Sequence, residues 1–222
     1  SMHRDKEGLG IWEHRGKVAA VGIGHSPTAR RWDGTPETSL GSWSIIALRN
    51  AMQDAGVSPD QVDGLVMAQE TATGSHWPAG QPIPENFLRA FQPSDRPLDG
   101  LTMLSAEWIL KNMPELKNVK FTMYAPGCMS HAIVVAAQAV AEGRTNTCLV
   151  LKGWHNLAGR YYVGDGATSD DTISGPAKWT TTWGTVACYT TAMQFEQYCR
   201  KYGKNHDMMA PFVVNERRNG LM

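Results

Sequence analysis

Apolar positions along the chain fall into short unbroken runs separated by stretches of helical period. That alternation predicts strands buried on both faces and joined by helices. The first run, Lys17-Val-Ala-Ala-Val-Gly-Ile-Gly24, is rich in valine and predicts a buried parallel strand over 17–24. Thr38 to Gly56 follows a helical period, with Ile45, Leu48, Met52 and Ala55 on one face and Gly56 as the stop. After the turn at Ser58-Pro-Asp, Val62-Asp-Gly-Leu-Val-Met-Ala68 predicts a second strand. Leu101 to Met113 is helical by pattern, with Met103, Ala106, Ile109 and Leu110 together, and Pro114 ends it. Val119 to Tyr124 reads as a third strand, Ala132 to Val140 as a helix closed by Gly143, and Thr147 to Gly153 as a fourth strand. The order β-α-β-α-β-α-β predicts an α/β fold, a parallel sheet with helices on both faces and right-handed crossovers.

Elsewhere the periodicity breaks. Residues 1–16 are polar and predict a loose arm, with Ser1 ahead of Met2 reading as a tag scar. Glu70 to Pro97 is rich in Gly, Pro and Ser, and its length suggests a functional or partner-contacting loop. Residues 154–184 lack a period but hold Trp154, His155, Tyr161, Tyr162, Asp165, Trp179 and Trp183, as an elaborated loop over a site would. Thr185 to Gly203 and Met208 to Met222 predict two further helices, the second with Pro211 in its first turn. The chain therefore divides into an arm over 1–16, a core over 17–153 and a further region over 154–222.

Charge and composition narrow the functional classes. The 21 basic and 21 acidic residues among 222 cancel, with no basic stripe, which argues against a nucleic-acid or membrane-surface partner. No apolar run reaches a membrane span, and no signal peptide opens the chain, so the default compartment is the cytoplasm. Cys128, Cys148, Cys188 and Cys199 lack metal-ligand spacing and make no disulfide framework. Gly22 and Gly24 lack the third glycine and the helix start of a dinucleotide fingerprint, which removes a Rossmann dehydrogenase.

The stretch with most chemistry is Tyr124-Ala-Pro-Gly-Cys-Met-Ser-His131, set between a predicted strand and a predicted helix. A cysteine at such a turn meets unpaired backbone N–H groups and the positive end of the helix dipole, which favour a thiolate. Cys128 is thus a candidate nucleophile, with a buried small hydrophobe as the alternative. Cys148, inside a strand, reads as structural. His131 reads as a structural histidine without an assigned role, and His155 and Asp165 are weaker candidates with none assigned. Trp179, Trp183, Tyr161 and Tyr162 suit either an acyl chain or simple packing.

Three of these segments together resemble the thiolase superfamily, within it the sterol-carrier-protein-x and lipid-transfer-protein branch. They are Val18–Gly24 with Ala51-Met-Gln-Asp-Ala-Gly-Val-Ser-Pro-Asp-Gln-Val-Asp-Gly-Leu-Val66; Gly127-Cys128 with Glu142-Gly143; and Phe195–Gly203 with Val213-Val-Asn-Glu-Arg-Arg-Asn219. The resemblance implies the N-terminal half of a thiolase-like fold over 17–153 and most of a loop domain over 154–222. It implies that Cys128 takes an acyl group from a coenzyme A thioester, the substrate, with no resident cofactor or metal. Its backbone N–H would form half of an oxyanion hole, a donor of the kind worth about 3 kcal/mol to the transition state. A homodimer through the edge strand at 119–124 is also implied. The lipid-transfer branch adds a second chemistry, retro-aldol cleavage of a steroid side-chain acyl-CoA with a small OB-fold partner. A non-catalytic thiolase-like scaffold subunit is the reading from a different class.

The sequence departs from the family in two respects. Met129, Ser130 and His131 follow the cysteine where the family keeps small residues and a glycine. The Gly-His-Pro and Cys-x-Gly segments that carry the family's other catalytic groups are absent from these 222 residues. Because Ala132 to Val140 is apolar on every face except at Gln138, it needs cover on all sides. The expectation is a chain that is part of a longer enzyme, or paired with a complementary one, and that alone exposes an apolar patch or aggregates.

Overall fold

The computed structural model describes residues 12–29, 32–68, 81–125, 129–153 and 187–220. The chain separates into two compact units, Ser1–Val163 and Gly164–Met222.

The first unit is α/β. Its strands β1 (Gly64–Met67), β2 (Phe121–Tyr124) and β3 (Cys148–Leu151) form a parallel sheet in the order β2-β1-β3. Gly64 stands beside Phe121 on one side and Cys148 on the other, and Met67 beside Tyr124 and Leu151. All four residues of β1 are buried, as its uninterrupted apolar sequence requires of a central strand.

Helices cover both faces. Leu65, Met67, Leu149 and Leu151 meet α1 (Leu40–Ala55) and α3 (Ala106–Asn112) in the main core, with Leu48, Met52, Trp108 and Ile109. Val66 and Ala68 point the other way, to Ala132 and Ala136 of α4 (Met129–Ala141). The alternation along β1 thus feeds two cores. Trp108 fills the main one, and a Cβ on either Gly41 or Gly100 would collide with its ring, at 2.1 Å and 2.6 Å respectively. Truncating a buried tryptophan of this kind costs about 3–5 kcal/mol.

Local signals explain the element ends. Ser39 caps α1, its hydroxyl accepting from the Ser42 N–H, and Gly56 closes it in the left-handed conformation at φ 64°. The helix expected from Leu101 begins only at Ala106. Ser105 is its N-cap, accepting the Trp108 N–H at 3.0 Å, and buried Asp99 accepts the Ser105 N–H at 2.8 Å. Leu101 and Leu104 lie in the core from a turn that the apolar pattern cannot tell from a helix. A short helix, α2 (Glu85–Ala90), lies within the stretch expected to be loop, and buries Phe87 against Phe91.

The expected strand over 17–24 is not one. Residues 18–24 carry no strand pairing, and Val21 and Ile23 are 63% and 67% exposed. The segment lies along α1, where Ile23 donates its N–H to Asp54 and Asn50 donates to the His25 carbonyl. Gly22 and Gly24 allow this approach. A Cβ on Gly22 would meet the Ala51 carbonyl at 2.5 Å, and one on Gly24 the Ala47 carbonyl at 2.1 Å. The two glycines serve close packing against an alanine row, Ala47, Ala51 and Ala55, spaced one turn apart.

In the second unit, α5 (Ala187–Tyr202) ends at Gly203 (φ 60°), and a 3-10 turn at His206–Met209 leads to α6 (Ala210–Asn219). Asn205 caps the turn by accepting from the Asp207 N–H. Cys199 is buried here, while Met193, Tyr198, Tyr202, Phe212, Val213 and Val214 are exposed.

Candidate functional site

Because the three strands are parallel, their carboxyl ends share one edge of the sheet. Two hydrogen bonds carry the ladder just past the strands, Ala125 N–H to the Met67 carbonyl and Ala68 N–H to the Leu151 carbonyl, both 2.8 Å. Ala125, Ala68 and Gly153 are all buried there. From this edge the chain continues into 69–80 after β1, 126–128 after β2 and 154–186 after β3. In open parallel sheets, ligands bind outside the carboxyl ends of the strands. The three segments flagged from the sequence (the long Gly/Pro-rich stretch, the cysteine turn and the aromatic-rich stretch) therefore all start at the edge where a ligand is expected.

Cys128 itself lies outside the described residues, as do His155, Tyr161, Tyr162, Asp165, Trp179 and Trp183. What is described is the frame of the turn. β2 ends at Tyr124, Ala125 is buried, and α4 starts at Met129, so Cys128 directly precedes the helix. The first N–H groups of α4 have no partner within the helix and carry its positive dipole end. His131, third in α4, is exposed on its first turn rather than buried.

Ala132, Ala136 and Ala139 form the buried row of α4. Small side chains at one-turn spacing let the helix lie close on the sheet, which fixes the direction in which its first turn points. Ile133 and Val134, on the far side, are 49% and 60% exposed.

The opposite, amino edge of the sheet carries a polar cluster that the sequence reading missed. The Asp63 carboxylate, at the entry to β1, accepts hydrogen bonds from the Thr145 hydroxyl, from the Asn146 N–H at 2.8 Å and side-chain amide at 2.7 Å, and from the Thr147 N–H at 2.9 Å. Burial pushes this carboxyl up, but the bonds from Thr145, Thr147 and Asn146 outweigh it and bring the pKa to about 2. The only signal in the sequence is Thr-Asn-Thr ahead of a strand, which marks a turn without naming its partner. Beside it, burial first and the Asp63 charge second push the Cys148 thiol up to about 12. Cys148 is a protonated packing residue at neutral pH.

Among the described residues no group of three or more His, Cys, Asp or Glu side chains is placed to hold a metal ion. No described helix is long and apolar enough to cross a membrane.

No family model matches the chain, and no curated protein matches it. Among solved structures the chain is similar to the Ltp2-ChsH2(DUF35) aldolase, at 19% identity and TM-score 0.46, over 83% of this chain and 38% of that one. It is similar also to the priming β-ketosynthase from the R1128 polyketide biosynthetic pathway, at 16% identity and TM-score 0.35, over 60% of this chain and 41% of that one. The chain thus spans less than half the length of either of these two chains.

Proposed function

We propose that this chain is part of an acyl-CoA-handling enzyme of the thiolase superfamily, close to its sterol-carrier-protein-x and lipid-transfer branch, with Cys128 as the acyl-carrying nucleophile. In the reaction proposed, the Cys128 thiolate attacks the 3-oxo carbonyl of a 3-oxoacyl-CoA. The adjacent carbon–carbon bond breaks, the acetyl-CoA carbanion leaves and takes up a proton, and the acyl group passes from sulfur to a second coenzyme A thiol. Coenzyme A thioester is substrate here, and the enzyme holds no resident cofactor.

The observation that supports this reading is the position of the turn. The chain leaves the carboxyl edge of a parallel sheet at Ala125 and re-enters at Met129, the first residue of α4, so residue 128 immediately precedes the unpaired N–H groups that open the helix. Those donors are also where an oxyanion would be stabilised. The aromatic-rich stretch after β3 starts at the same edge and suits a bulky acyl group. The outer edge of β2, with Thr122, Met123 and Tyr124 exposed, is the surface proposed for a homodimer.

Mass spectrometry after mixing the complete enzyme, of which this chain is proposed to be part, with a 3-oxoacyl-CoA tests the chemistry. The expected result is an acyl adduct on the Cys128 peptide that is absent from Cys128→Ala. Unmodified protein that turns over a steroid side-chain β-hydroxyacyl-CoA by retro-aldol cleavage, with a small OB-fold partner present, would replace thiolysis by the lyase. Neither adduct nor turnover would leave a non-catalytic scaffold subunit.

A further inference from the structure

We draw no further inference here: the strongest candidate, the apolar surface that α5 and α6 present in the second unit through Met193, Tyr198, Tyr202, Phe212, Val213 and Val214, carries nothing because nothing in the structure shows what covers it.

Discussion

The Asp63 carboxylate ties the start of β1 to the residues that lead into β3, and every bond it accepts favours its charged form. Its pKa in the folded chain, about 2, lies below the ordinary 3.8. A carboxyl depressed on folding contributes stability that is full above its unfolded pKa and is lost as pH falls through the folded one. The contribution is therefore whole at neutral pH and drains away between roughly pH 5 and pH 2. With allowance for the solvent around a half-buried group, it amounts to about 1–2 kcal/mol. Asp63→Ala is expected to lower the urea midpoint at pH 7 by that equivalent, and the gap between variant and parent should close towards pH 2. A gap independent of pH would show that the hydrogen bonds act without the charge.

Thiol reactivity gives a second test at the same scale. With its thiol pushed up to about 12, Cys148 should resist iodoacetamide in the folded protein at pH 7–8. Cys128, the residue before α4 in sequence, should be alkylated first, with peptide mapping as the readout. Labelling of Cys148 ahead of Cys128 would remove the helix-terminus argument for the nucleophile. Cys148 was legible from the sequence by its context inside a strand. Asp63 was not, because a carboxylate's partners lie some eighty positions away and leave no local trace.

Among the elements, the glycine pair and the serine cap make distinct predictions. Adding a methyl at Gly24 drives it into the α1 backbone near Ala47 and Ala51. Gly24→Ala is expected to cost about 1–3 kcal/mol and to speed proteolysis within 18–29. Ser105→Ala removes the α3 cap and leaves buried Asp99 short of a donor, for about 2 kcal/mol by chemical denaturation. What the sequence made legible here was α1, β1, α3, β2, α4 and β3, whose periods or stops show in the residue pattern. The segment at 17–24 was misread because an apolar run records burial-prone residues and not their partner. Glycines at alternate positions give an extended chain one flat side, and that side meets a helix instead of another strand. α2 was hidden because six residues beside Pro84 are too few for a period to show.

At the scale of the molecule, and among the described residues, the sheet covers α4 on its alanine side, and Ile133 and Val134 are exposed, as are Val21 and Ile23. Isolated apolar side chains on a surface are ordinary, but several large ones on the elements that frame a site favour association. These 222 residues are expected to self-associate with rising concentration in light scattering. Ile133→Ser with Val134→Ser should shift them towards monomer without lowering the midpoint of unfolding. A monodisperse parent with a single cooperative melt would show that this face needs no cover. The α/β architecture was legible at this scale, and so was the strand-then-helix order on either side of residues 126–128. The groups that would complete the chemistry were not, since no residue pattern in the chain marks a second acid or base.

The central place of β1 has a consequence for how the chain is made. Both strands that flank it come later in sequence, and Cys148 is synthesised about 80 residues after Gly64. At ~5–20 residues per second, Gly-Leu-Val-Met waits roughly 4–16 s for its second neighbour. During that interval an apolar strand with free edges is open to mispairing, and long-range parallel contacts close slowly. Yield on expression should therefore respond to translation speed and to chaperones that hold apolar segments, more than to changes on the finished surface.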